Sequence, residues 1–165
     1  MRVLIIALPR TGSTSLLYKI AKENNLKPLF EPFDNSDRSK YAMEKGIVVK
    51  TIICHHPNNS KLAKEFDEVI LLSRKNLLEC AESHAYQVYF SKTKSYNSNF
   101  PYLYEKAPED VFKLCYSNIL KWNYEINQLS VKLNIPVTYY EDLYNPEDER
   151  RLRKGDRNKS GKKLI

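Results

Sequence analysis

The residues best equipped for chemistry lie near the start of the chain, in Pro9-Arg10-Thr11-Gly12-Ser13-Thr14-Ser15. Gly12 can take backbone angles closed to other residues, which lets main-chain N–H groups converge on one anion. Ser13, Thr14 and Ser15 add hydroxyl donors at a helix start, where the helix dipole also favours negative charge. Arg10 brings a full positive charge on a planar donor fork. Such a loop is a cradle for a phosphate or sulfate group. The plain alternative is a strand-to-helix turn capped by a serine, holding no ligand.

The loop does not have the equipment for magnesium-bound ATP. A P-loop kinase or ATPase carries G-x-x-x-x-G-K-[ST], whose lysine reaches the β- and γ-phosphates and whose Ser/Thr holds magnesium. Here the turn has one glycine and no lysine. The strand candidate Val69–Leu72 ends in Ser73-Arg74 rather than in a magnesium-binding aspartate.

Elements that position this loop follow from periodicity. Arg2 to Leu8 is a short apolar run ended by proline, which reads as a buried strand. Ser13 to Asn24 places Leu16, Leu17, Ile20 and Ala21 at helical spacing. Lys27 to Phe33 reads as extended, and Ser36 to Lys45 as a short helix ended by Gly46. Ile47 to Ile53 and Glu68 to Leu72 are further strands, with a helix over Ser60 to Phe66 between them. Helices are expected over Asn76 to Phe90 and Pro108 to Asn134, then a last strand over Ile135 to Tyr140 leading into Glu141-Asp142-Leu143. The polar, tyrosine-rich stretch 91–107 is the one long loop. Strands alternating with helices predict an α/β three-layer sandwich around a mostly parallel central sheet.

Composition narrows the classes further. The 165 residues suit one domain, expected over residues 1–148. The net charge of +7 is concentrated in residues 149–165, where eight basic residues face two acidic ones; this leaves about +1 for the body. A basic tail on a near-neutral body points to a local anion contact or a solvated end, and nucleic acid is not expected as a partner. No apolar run approaches the roughly 20 residues of a membrane span. The N-terminal apolar run reads as a strand rather than a signal peptide, with a cytoplasmic protein as the expectation. Cys54, Cys80 and Cys115 are odd in number and far apart, which indicates neither a disulfide framework nor a zinc knuckle.

Pro9-Arg10-Thr11-Gly12-Ser13-Thr14 resembles the 5′-phosphosulfate loop of PAPS-dependent sulfotransferases, whose pattern is Pro, Lys/Arg, Ser/Thr, Gly, Ser/Thr, Thr/Ser. Val69 to Arg74, followed by a helix carrying Ser83, is similar to the family's 3′-phosphate site. Glu31-Pro32-Phe33, Val48-Val49-Lys50-Thr51 and Tyr140-Glu141-Asp142-Leu143 resemble further family segments in the same order, so the likeness spans residues 2–144. Two departures stand out. The Arg-to-Ser spacing is one residue longer than usual, so either Arg74 or Lys75 takes the 3′-phosphate, with Arg74 preferred. The chain is also shorter than typical members, which implies a reduced acceptor region.

The resemblance implies a P-loop-NTPase-like sulfotransferase topology and an activity that moves a sulfuryl group from PAPS to an acceptor hydroxyl or amine, leaving PAP, with no metal required. It assigns Arg10, Thr11, Gly12, Ser13, Thr14, Ser15, Arg74 and Ser83 to donor binding, and Arg10 also to catalysis. Glu31 is the implied base, with His55 and His56 behind it, because Ile52 stands where other branches place a histidine. His84 reads as structural. Arg153-Lys154-Gly155 is similar to a family segment that covers the 3′-phosphate, and a solvated tail explains it equally well. Tyr96, Phe100, Tyr102 and Tyr104 fit an acceptor surface for a carbohydrate, a peptide or a small molecule, and fit packing of the loop on the core equally well. The alternatives are a P-loop nucleotide kinase and a PAP-binding protein without transfer activity.

Overall fold

The computed structural model describes residues 1–34, 40–92 and 106–144. Strand β1 (Arg2–Ala7) leads through the loop at 8–12 into helix α1 (Ser13–Glu23). β2 (Lys27–Phe30) follows, then two short 3-10 turns (Pro32–Asp34 and Lys40–Met43), β3 (Ile47–Ile52) and the short helix α2 (Asn59–Ala63). β4 (Glu68–Ser73), α3 (Leu77–Lys92), the long α4 (Glu109–Leu133), β5 (Val137–Tyr139) and one helical turn, α5 (Tyr140–Leu143), complete the described chain.

The five strands form one sheet in the order β2-β3-β1-β4-β5, and every pairing is parallel. The expected sheet was mostly parallel; the observed one is wholly so. β1 lies at the centre and is buried from Val3 to Ala7, as its unbroken apolar run requires. Its odd and even residues separate cleanly. Leu4, Ile6 and Leu8 pack with Leu62, Phe66, Ile126 and Leu129 on the face covered by α2 and α4. Val3, Ile5 and Ala7 pack with Leu16, Leu17 and Ala21 of α1 on the other. Helices on both faces of the sheet make a three-layer α/β arrangement. Each fully buried Leu or Ile contributes about 1.5–3 kcal/mol, so β1 and its neighbours dominate the stability of the sheet.

Several element boundaries differ from the sequence reading, for local reasons. The extended stretch at 27–33 stops at Phe30, because Glu31 turns into the left-handed region at φ 43°. Within the helix expected over 36–45, a 3-10 turn occupies Lys40–Met43, and residues 36–39 lie outside the described residues. α2 ends at Ala63, earlier than Phe66. The helix expected to stop at Phe90 runs to Lys92. Tyr140, expected at the end of the last strand, instead begins α5. Tyr96, Phe100, Tyr102, Tyr104 and the basic tail at 149–165 fall outside the described residues. Among the described residues, no helix is long and apolar enough to cross a membrane.

Candidate active site

Parallel sheets present their ligand sites at the carboxyl ends of the strands. The candidate residues gather there because β1, β2, β3 and β4 all end at the same edge. Arg10 and Gly12 follow β1, Glu31 follows β2, Lys50 lies two residues before the end of β3, and Arg74 follows β4.

The loop after β1 is held from its carbonyl side. Thr11 Oγ1 donates to the Leu8 carbonyl at 2.8 Å, Cys80 Sγ donates to the Pro9 carbonyl at 3.1 Å, and Arg74 Nη1 donates to the Arg10 carbonyl at 3.3 Å. Gly12 is the N-cap of α1, at φ 67° and ψ 14°, and supplies no side-chain cap. The serine-capped turn is thereby set aside: the cap is the glycine, and the first-turn N–H groups of α1 receive no side-chain acceptor from it. Tyr140 explains part of the need for glycine. A Cβ at residue 12 would lie 2.5 Å from Tyr140 Cε2 and 2.8 Å from Cδ2. Cys80 beneath the loop is fully buried, and burial pushes its thiol up to about 12, so it serves as a packing donor and not as a nucleophile.

Backbone strain marks two site residues. Four non-glycine residues among those described have positive φ. Asn25 and Asn134 follow the ends of α1 and α4, where asparagine is common. The other two are Arg10 at φ 62° and Glu31 at φ 43°. Left-handed conformations cost a non-glycine residue about 1–2 kcal/mol, and such strain concentrates at functional sites.

Arg10 Nε donates to Ser83 Oγ at 2.9 Å, which ties the loop to α3. Across the loop, the buried Lys50 Nζ donates to Thr14 Oγ1 at 3.4 Å and forms a short ion pair with Glu31 Oε1. It also sits 4.0 Å from the centroid of the Phe30 ring. Burial pulls the Lys50 pKa below its usual value; the Glu31 hydrogen bond and charge push the other way, while the nearby Arg10 charge adds to the lowering. The result is a chain of polar contacts from Glu31 through Lys50 to the loop at Thr14.

The donor residues named from sequence do not all face the same way. Thr14 takes part directly through Lys50. Thr11 and Ser13 are buried, and the Thr11 hydroxyl is spent on shaping the turn. Ser15 is exposed. Arg74 is 7% exposed and lies against the loop, whereas Lys75 is exposed, pairs closely with Asp142 and sits 5.7 Å from the Tyr139 ring. Of the two basic residues, Arg74 is the one next to Arg10 and the loop.

The histidines stand apart from this contact chain. His55 turns away after β3, with its Nδ1 buried and unbonded. His56 Nδ1 accepts from the Asn58 N–H at 3.1 Å, and its ring meets Phe33 edge-on at 5.3 Å. Neither hydrogen-bonds Arg10, Glu31 or Lys50 among the described residues. His84 packs edge-on to Trp122 at 5.7 Å; burial, and then the Arg10 charge, lower its pKa and favour the neutral imidazole. Ile52, at the position where a histidine would matter, belongs to the core.

Lys50 is the residue whose role sequence reasoning missed. Its signal was visible as a single charge inside the apolar run Ile47–Ile53, on a strand buried at every position. Charges are almost never fully buried without a partner. Comparison of the chain with protein-family models, with curated proteins and with solved structures finds no match.

Proposed function

We propose that the chain is a PAPS-dependent sulfotransferase that transfers a sulfuryl group to an acceptor hydroxyl or amine. The observation that carries this reading is the convergence at one sheet edge of a glycine-turned loop with Arg10, a carboxylate at Glu31 and a buried Lys50 between them. The sheet order β2-β3-β1-β4-β5 around a central β1 that feeds the loop supports a P-loop-like topology. The orphaned N–H of buried Arg74 Nε, together with the Arg10 fork, suits an anionic donor.

PAPS, when bound, supplies a sulfuryl group activated by its link to a phosphate. Arg10 and the first N–H groups of α1 stabilise negative charge on that end of the donor. Glu31 takes the proton of the acceptor hydroxyl as its oxygen attacks sulfur and the sulfur–phosphate oxygen bond breaks. Lys50 orients Glu31 and offers its own charge toward the Thr14 side of the loop. Ser83 fixes the Arg10 guanidinium from α3.

A melting-temperature screen against PAP, ADP and ATP, each with and without magnesium, tests the reading. PAP is expected to raise the melting temperature without magnesium, because a ligand that binds only the folded state stabilises it. Arg10→Ala is expected to weaken PAP binding by more than about tenfold, the scale of a charge-assisted bond lost from a site. A shift with magnesium–ATP and none with PAP would replace this reading with the nucleotide-kinase one.

A further inference from the structure

Arg74 is engaged from several sides, and two of its partners are acidic. Nη2 lies 2.9 Å from Glu79 Oε1, and Nη1 donates to the Arg10 carbonyl. Nε lies 3.6 Å from Glu141 Oε1, beyond hydrogen-bond reach, and this buried N–H has no acceptor among the described residues. The Tyr140 ring lies under the guanidinium, 4.9 Å from its centroid to the central carbon. The Nε/Nη2 edge is the fork that takes an oxyanion side-on with two parallel bonds. Here it is divided between two carboxylates, and one of its two bonds is unmade.

The two carboxylates are held very differently. Glu141 accepts from the Lys75 and Asn76 N–H groups at 2.9 and 3.1 Å, bracing from α5 the segment that enters α3. Burial alone would raise its pKa, but those backbone bonds and the Arg74 charge bring it below the ordinary carboxylate range. Moving Glu141 would take the side-chain acceptor away from both of those backbone N–H groups. Glu79 stands in the first turn of α3, its side chain 41% exposed, with Oε2 a long 3.4 Å from Asn76 Nδ2. Its side chain already borders water.

We infer that Glu79 is a gate on a second anion site: it occupies Arg74 Nη2 while the site is empty and must leave before an oxyanion can bridge Nε and Nη2. The inference rests on the donor reading above, in which Arg74 takes the 3′-phosphate, and it gives Glu79 a specificity role. Glu79 weakens every ligand that carries a second phosphate and leaves untouched those held by the Arg10 loop alone. The Glu79 side of this pair is 41% exposed and screened by water although Arg74 is buried, so the gate is light, and its removal corresponds to about a three- to fivefold gain in affinity.

The test compares 3′,5′-bisphosphate PAP with 5′-AMP by calorimetry on the wild type, Glu79→Gln, Arg74→Met and the double variant. Glu79→Gln should tighten PAP about three- to fivefold and leave AMP within about twofold. Arg74→Met should weaken PAP toward AMP and abolish the effect of Glu79→Gln in the double variant. An unchanged or weaker PAP affinity in Glu79→Gln overturns the gate, as does an equal gain for AMP. A parallel NMR titration with inorganic phosphate, followed at the Arg74 Nε–H signal, separates the gate from the donor reading. If no variant binds PAP but phosphate moves that signal at lower concentration in Glu79→Gln, the donor reading falls and the gate stands. If phosphate moves it equally in wild type and variant, or in neither, the gate falls.

Discussion

Replacing Glu31 with glutamine isolates the ion pair that links the carboxylate to the anion loop. Glu31→Gln keeps the side chain's size and one acceptor oxygen, and removes only its charge. Lys50, 4% exposed, is then left among neutral partners: the retained amide oxygen at position 31, Thr14 Oγ1 at 3.4 Å and the Phe30 ring at 4.0 Å. Stranding one member of a fully buried pair costs about 3–5 kcal/mol; with Glu31 20% exposed, water softens this to about 2–3 kcal/mol at pH 7. The pH dependence has a defined sign. Lys50 already titrates below its usual value in the folded protein, so the folded state binds fewer protons than the unfolded chain, and stability rises as pH climbs toward 10.5. Glu31→Gln removes the charge attraction and leaves only a weaker, neutral hydrogen bond to oppose this lowering, so the rise becomes larger in the variant. Each further pKa unit of lowering is about 1.4 kcal/mol, and the deficit of Glu31→Gln should shrink to about 1 kcal/mol at pH 10. Urea unfolding at pH 7 and pH 10 measures it, with Lys50→Met as the control that loses the slope. An equal deficit at both pH values refutes the argument, because the pair would then be stabilising by something other than Lys50 charge burial.

Two further expectations concern the loop. Gly12→Ala should lose about 2–4 kcal/mol in urea unfolding, from the left-handed backbone and from the clash with Tyr140 together. Adding Tyr140→Ala should relieve the clash and leave the backbone part, a coupling that a double-mutant cycle reads; strictly additive losses would count against the contact. Titration of the native protein at pH 8 with a thiol reagent should find one fast cysteine, the exposed Cys54, and all three in urea. Fast labelling of Cys80 would contradict its burial under the loop and its raised pKa.

The sequence by itself determined the strands, the main helices and the loop. An apolar run of six residues has few alternatives to a buried strand, and a three-to-four-residue repeat such as Phe112, Cys115, Ile119, Trp122 and Ile126 has few alternatives to a helix packed on one face. The anion-binding chemistry of residues 9–15 was readable for the same reason: a glycine turn, hydroxyls and an arginine are local to one segment. The tertiary structure decided which side chains meet. Lys50 reaches both Glu31 and Thr14 because β3 lies between β2 and β1, an order that no local pattern encodes. Arg74 and Lys75 are chemically alike and adjacent, yet one is buried against the loop and the other pairs in the open with Asp142, because successive residues leaving a strand face opposite ways. Glu79 and Glu141 meet at Arg74 only because β5 pairs with β4 and brings α5 over the start of α3, closing a separation of more than 60 residues. Contacts of that range depend on the whole sheet having formed.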